Sequence, residues 1–407
     1  MSRSEPESGA LPTDSSLKVS AIVPTHNRAR YLAEALDSLL HQQRPLDEII
    51  VVDDASTDKT AEVLADYKDR ARVVELTTNH GKAAALNMAI PMARGDYLWL
   101  FDDDDVALPD ALSRHVELLI ERDDIDFTYS STYHTHDPDH IWNSTAWHAN
   151  ELPDIEPERF LLETMRSMNT LMQGMLIPRR ALLEIGLFDT ELSRCQDLDM
   201  LIRLGARYRG AKLDKPTFVY REHDGARGGG QYTHTVEQRF RIQDKYRKQV
   251  FRKVRNALPL EDYLTHVGDD SVLQSKAARG PAALIQRGCI LLRQGLVKDG
   301  LADLESALGD PAIVDIDDAW IAQNLTLALD VEPWMFDDPR AVGVELANML
   351  ARHNALVYAR PSIRGLYWSM RRELNLRRTR QAVHAGVILS SFTVHCVGQY
   401  VRRSVIS

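Results

Sequence analysis

The stretch Leu98-Trp99-Leu100-Phe101-Asp102-Asp103-Asp104-Asp105 constrains this chain more than any other. Four large apolar side chains in a row need cover on both faces, so the run predicts a buried strand. It breaks off in four carboxylates, which stand at that strand's carboxyl end. In open parallel α/β sheets this is the edge where ligands bind. Adjacent carboxylates repel one another, so a cation or a set of donors has to satisfy them. A hard divalent metal bridging to phosphate oxygens would do so. Taken alone, the run reads more readily as an acidic turn capping the helix after Pro109, because charge runs are usually solvated. The flanking pattern decides against that.

Lys18 to Val23 is an alternating, β-branched first strand that stops at Pro24-Thr25-His26-Asn27-Arg28. Tyr31, Ala35, Leu36, Leu39 and Leu40 recur at helical spacing. Glu48 to Val52 is a second strand, closed by Asp53-Asp54-Ala55-Ser56-Thr57-Asp58, whose hydroxyl and carboxylate groups suit the cap of the next helix. Arg72 to Leu76 is a third strand; Asn79-His80-Gly81-Lys82 turns into an Ala-rich helix, Ala83 to Ala93. This rhythm predicts a parallel sheet with right-handed crossovers. The polar ends at Thr25, Asp53/Asp54 and Asp102 to Asp105 then share one rim, which makes a binding crevice.

Further on, Asp126 to Tyr133 reads as a fifth strand, and His134 to Asn150 as a long loop near the crevice, whose His134, His136 and His140 could bind metal but read more simply as solvated. Leu198, Leu201, Ile202 and Leu204 form the apolar face of a helix with Asp197 in its first turn, where the helix dipole favours an anion. Glu222-His223-Asp224 leads into the glycine-rich stretch 225–230, a linker or a loop over ligand.

A formal net charge of −10 argues against a nucleic-acid partner. The three cysteines, Cys195, Cys289 and Cys396, are far apart and suit a reducing, cytoplasmic setting. Residues 1–16 are polar and read as a disordered lead-in without a signal core. No run reaches the ~18–20 apolar residues that span a bilayer.

Taken in order, Ile22-Val23-Pro24-Thr25-His26-Asn27-Arg28, Val51 to Thr60, Asn79 to Lys82 with Asn87, Gly95-Asp96-Tyr97, Asp102 to Asp105, Gly186-Leu187-Phe188-Asp189 and Gln196-Asp197-Leu198-Asp199 resemble the family-2 glycosyltransferases with the GT-A fold. The resemblance covers Leu17 to Gly230. It implies a GT-A (nucleotide-diphospho-sugar transferase) domain over 17–232, an α/β fold with a Rossmann-like, mostly parallel sheet. It also implies inverting, metal-dependent transfer from a nucleotide-sugar, UDP-linked, to a glycan or glycolipid hydroxyl. By the same resemblance Asp54 bonds the nucleotide base, and Pro24, Thr25, His26 and Asn27 line its pocket. Gly81, Lys82, Asp102 and Asp103 contact the donor. Asp102 and Asp104 take the DxD positions, with Asp104, Asp102 and His223 at a Mn2+ or Mg2+ ion, and Asp197 is the catalytic base. One departure is Gln196, where the family usually has Glu; this removes a like charge beside Asp197. A sugar-nucleotide pyrophosphorylase would instead open with a Gly-rich phosphate loop after its first strand. A non-catalytic helical scaffold with a vestigial donor site is the other rival.

Residues 233–370 read as a helical domain in which Gly280 to Pro311 has the spacing of one tetratricopeptide pair, without clear copies. The tail, 371–407, carries seven arginines against one acid, Glu373. An amphipathic helix in peripheral contact with an anionic membrane would look like this, as would a terminal helix packed on the helical domain.

Overall fold

The structure, a computed structural model, describes residues 17–168, 170–223, 236–264, 272–329, 338–375 and 379–406. The lead-in 1–16 and the stretch 225–230 lie outside the described residues. The chain divides into two compact units, Met1–His234 and Thr235–Ser407.

In the first unit β1 (Val19–Thr25), α1 (Leu32–Leu40), β2 (Glu48–Asp53), α2 (Thr60–Ala65), β3 (Arg72–Glu75), α3 (Lys82–Met92) and β4 (Tyr97–Leu100) alternate. They are followed by β5 (Val106–Ala107), α4 (Ala111–Glu121), β6 (Phe127–Tyr129), β7 (Thr132–Thr135), β8 (Trp147–Asn150) and α5 (Phe160–Arg166). β9 (Met175–Pro178), α6 (Arg179–Glu184), α7 (Gln196–Gly205), β10 (Gly210–Lys212) and β11 (Phe218–Arg221) complete it. One sheet has the order β10-β6-β9-β4-β1-β2-β3. It is mostly parallel, with β9 antiparallel to both β4 and β6. An apolar run such as Met175 to Ile177 carries no mark of its direction, so the sequence pattern could not reveal that reversal.

The run Leu98 to Phe101 is covered on both faces. Trp99 and Phe101 pack with Leu36, Leu112 and Val116 on one side of the sheet. Leu98 and Leu100 pack with Leu86, Ala89, Leu182 and Leu201 on the other. This is the double burial that the sequence predicts.

Two segments differ from expectation. The strand expected over 126–133 is broken at Ser130-Ser131, where the buried Ser130 hydroxyl lies 2.6 Å from the Thr217 hydroxyl. β6 stays in the large sheet and β7 joins a second sheet, β5-β11-β7-β8. The loop expected over 134–150 ends in that sheet, because β8 pairs antiparallel with β7. Tyr133 and Trp147 stack across the pair, with ring centroids 5.2 Å apart.

The second unit holds α8 (Val236–Ala257), α9 (Arg279–Arg293), α10 (Val297–Leu308), α11 (Asp318–Leu329), α12 (Pro339–Arg352), α13 (Ala359–Asn375) and α14 (Thr379–Ile406). α9 packs on α10 and α11, α11 on α13, and α14 on both α12 and α13. Ile285, Leu304, Leu325, Leu346, Leu366, Ile388 and Phe392 share its core. The α9–α10 pair is unusually close. A Cβ at Gly300 would lie 2.7 Å from the Gly288 carbonyl oxygen.

Candidate active site

β1, β2 and β4 end side by side. Thr25 pairs in register with Asp53, and the Phe101 N–H donates to the Ile22 carbonyl (2.9 Å). The loops beyond them are laced together. Asn27 adopts a left-handed conformation (φ 55°), and its side-chain oxygen accepts from the N–H groups of Thr57 (2.7 Å) and Asp58 (3.2 Å). His26 Nδ1 lies 2.7 Å from the Asp54 carbonyl oxygen. The Asp54 carboxylate accepts from the backbone N–H of His80 (2.7 Å) and of Gly81 (2.6 Å). Gly81, at φ 86°, makes the turn that starts α3 with Lys82. Asp54 therefore fixes the loop that presents Lys82.

The acidic cluster is not left to repel itself. Lys82 Nζ lies 2.6 Å from Asp102 Oδ1. Arg28 Nε stands 3.6 Å from both Asp103 Oδ1 and Asp104 Oδ2. His223 Nε2 is 2.9 Å from Asp104 Oδ2. Gln173 Nε2 donates to Asp102 Oδ2 (2.7 Å) and to Asp105 Oδ2 (2.9 Å). Asp105 is fully buried, and its other oxygen accepts from the Arg221 N–H (2.9 Å). Arg221 is itself fully buried; its Nε donates to the Asp104 carbonyl (2.7 Å) and its Nη2 pairs with Glu34 (2.7 Å). Burial, and then the charge of Asp104, push the Asp103 carboxyl up to about 8, while Arg28 pulls the other way. Enclosure also raises the Asp102 pKa, and Asp104 and Asp197 raise it further against Lys82. Burial disfavours the Lys82 ammonium, but Asp102, Asp197 and Asp104 outweigh it and raise its pKa.

Asp197 sits in the first turn of α7, and its Oδ2 is 4.0 Å from Lys82 Nζ. Its neighbour Gln196 donates to the Leu192 carbonyl, a contact that the acceptor-only carboxylate of Glu could not make. Asn87, on α3, exchanges two 2.8 Å bonds with the backbone of Phe188. Arg203, on α7, binds the Asp199 carboxylate (2.6 Å) and the carbonyls of Ile185 (3.0 Å) and Leu187 (3.1 Å). The segments 186–189 and 196–199 are thus tied to each other and to the helix that carries Lys82.

The structure brings Asp54, Gly81, Lys82, Asp102, Asp103, Asp104, Asp197 and His223 together, with Pro24 to Asn27 on the adjoining strand end. Sequence reasoning missed Gln173 and Arg221. Gln173 did leave a signal, a lone amide inside the apolar run Leu171 to Ile177. His134, read as solvated, is instead largely covered and lies 2.9 Å from Glu222; His136, 2.8 Å from the same carboxylate, does remain 70% exposed.

Among the described residues, Asp102, Asp104 and Asp105 offer ligand oxygens within 4.8 Å of one another. This all-carboxylate set fits a hard divalent ion. Asp105 is fully buried, whereas the side chains of Asp102 and Asp104 keep 27% and 12% exposure, so these two are the more accessible pair.

The profile of the glycosyl transferase family 2 matches residues 20–185. TuaG of Bacillus subtilis (strain 168), a glycosyltransferase provisionally named for teichuronic acid biosynthesis, is 39% identical over 107 residues, 26% of this chain and 42% of its own length. An uncharacterized glycosyltransferase of Methanocaldococcus jannaschii is 27% identical over 195 residues, 46% of this chain and 63% of its own. The chain spans about half the length of these curated relatives. Among solved structures, S. aureus TarS 1-349 in complex with UDP-GlcNAc aligns with a TM-score of 0.49 at 19% identity, over 84% of this chain and 90% of that one. The chain carries a glycosyl transferase family 2 domain over residues 20–185, with a GT-A-like, mostly parallel sheet, followed by a helical C-terminal region.

Proposed function

We propose that this chain transfers a sugar from a nucleotide-sugar, UDP-linked, to a hydroxyl of a glycan or glycolipid. The setting is the building of a polysaccharide or glycoconjugate on the cytoplasmic side of a membrane. The observation that carries the reading is the position of Lys82, 2.6 Å from Asp102 and 4.0 Å from Asp197. Two carboxylates from different elements, Asp102 after β4 and Asp197 on α7, share one cation.

In this reading Pro24 to Asn27, Asp54 and Gly81 surround the nucleoside, and Asp102 and Asp103 face the ribose and diphosphate. Mn2+ or Mg2+ held by Asp104 and Asp102, with His223 alongside, would neutralise charge on the leaving diphosphate. Asp197 accepts the proton of the acceptor hydroxyl as its oxygen bonds to the anomeric carbon. The bond from that carbon to the diphosphate breaks, and the nucleoside diphosphate departs with the electron pair. A single displacement inverts the anomeric centre, and no second nucleophilic carboxylate is needed.

Calorimetric titration of UDP, with and without Mn2+, tests the donor site. Binding should require the metal and vanish in Asp104→Ala. Metal-independent binding, or equal binding by the variant, would remove the acidic cluster from the donor site.

A further inference from the structure

Exposed apolar side chains are concentrated in two paired helices of the second unit, α13 and α14. Of twelve large hydrophobic side chains exposed among the described residues, six lie between positions 367 and 397: Tyr367, Trp368, Leu374, Val383, Val394 and Val397. α13 buries Ala359, Ser362 and Leu366 and turns Arg360, Arg364, Trp368, Arg371 and Arg372 outward. Those spacings place the outward residues on one helical face. The Arg371 guanidinium lies over the Trp368 ring, 5.6 Å from a ring centroid, and Tyr367 meets Trp368 edge-on at 5.5 Å. Arg360, Arg364 and Trp368 line a shallow groove of about 440 Å³. No acidic residue occurs from 359 to 372, and residues 359–407 hold nine arginines against one glutamate.

α14 is apolar on two sides. Ala385, Ile388, Phe392 and Cys396 are buried in the core of the unit, while Val383, Val394 and Val397 stand open on another stripe. The two alternatives that the sequence left for the tail are therefore compatible, since a helix can pack along one side and offer another.

We propose that the α13–α14 pair docks on an anionic lipid surface. Three features favour that occupant. Trp and Tyr beside an apolar stripe suit the headgroup boundary, where their rings are half wet. Arginines can lay their stems along apolar surface and bring their guanidinium groups to lipid phosphates. The nine arginines against one acid in this segment, on a chain of net charge −10, match a negative leaflet. No described helix is long and apolar enough to cross a membrane, so the contact is peripheral. A second copy of the chain fits less well, because two such faces would oppose like charges.

The test uses the full chain without donor, sedimented with vesicles of phosphatidylcholine alone or with about a third phosphatidylglycerol. Binding should be at least about tenfold tighter to the anionic vesicles and fall toward the neutral level at about 0.5 M salt. Arg364→Glu with Arg371→Glu, and separately Val394→Glu, should each weaken it by about tenfold or more while circular dichroism stays unchanged. Equal binding to both vesicles, no binding to either, or full binding by the charge-reversed variant would overturn the proposal. So would light scattering that shows a dimer, sensitive to Val394→Glu, in a chain that ignores lipid; the face would then belong to a second copy. Calorimetry with UDP on the same samples keeps the two readings apart, since lost vesicle binding with intact UDP binding leaves the donor site untouched.

Discussion

At the scale of single residues, Gln173 decides how the acidic cluster is held. A primary amide has two N–H bonds, and Gln173 uses both, one on Asp102 and one on Asp105. It fixes two carboxylates without adding charge. Gln173→Leu removes both donors, and Gln173→Glu replaces them with a third repelling carboxylate. Groups that orient metal ligands are worth roughly 10–100-fold in affinity, so metal-dependent UDP binding should weaken by about that much, more in the Glu variant. Unchanged affinity in Gln173→Leu would mean that Lys82 and Arg221 hold the cluster unaided. Asp197 calls for the opposite pattern. Asp197→Asn should lower kcat by roughly 10²–10⁴ and leave UDP binding intact, since a general base acts on the acceptor. If UDP binding fell in parallel, Asp197 would be acting through Lys82 on the donor instead.

At the scale of elements, the contact between α9 and α10 makes the sharpest prediction. A Cβ at Gly300 meets the Gly288 carbonyl oxygen at 2.7 Å and the Leu292 backbone nitrogen at 2.9 Å. Those are backbone atoms and cannot rotate away. The overpacking cost of about 1–3 kcal/mol should exceed the helix-propensity gain of about 0.5–1 kcal/mol. Gly300→Ala should therefore lower Tm. Gly280→Ala, where nothing lies within 4 Å of the new Cβ, should be neutral or slightly stabilising. A rise in Tm for Gly300→Ala would show that the two helices can separate at little cost. The glycine spacing that gives this pair was legible in the sequence, as was the strand–helix alternation through β4, because both are local periodicities. What was not legible depends on partners distant in sequence. The reversal of β9, the switch of β7 into a second sheet at Ser130-Ser131, and the pairing of β8 are set by neighbours that no local pattern names. The site followed the same division. Its carboxylates stand in runs and motifs, whereas Gln173 and Arg221 reach them across 71 and 116 positions of chain.

At the scale of the molecule, two buried groups should shape how stability follows pH, with opposite signs. His115 is fully buried, and burial, aided by the charge of Arg114, pushes its imidazole down to about 3. The unfolded chain binds this proton near 6.5, so stability is lost as pH falls from about 6.5 toward 3. Asp103 behaves in the reverse sense. Its carboxyl is pushed up to about 8, so the unfolded chain releases this proton first, and stability is lost as pH rises from about 4 to 8. Either group contributes a slope of at most about 1.4 kcal/mol per pH unit. Between about pH 4 and 6.5 the two slopes oppose each other, and above that range His115 no longer offsets the Asp103 slope. Urea unfolding in the presence of a chelator should find Asp103→Asn more stable than the parent at pH 8, with the gap closing toward pH 4. In His115→Gln the loss on the acid side should be shallower. Mn2+ supplies the final discrimination. A cation on Asp102 and Asp104 favours the ionised form of their neighbour, so it should flatten the alkaline loss in the parent and change little in Asp103→Asn. If the two curves run parallel with and without metal, Asp103 is ionised throughout, and the cluster is held open by Arg28 and Lys82 rather than by a retained proton.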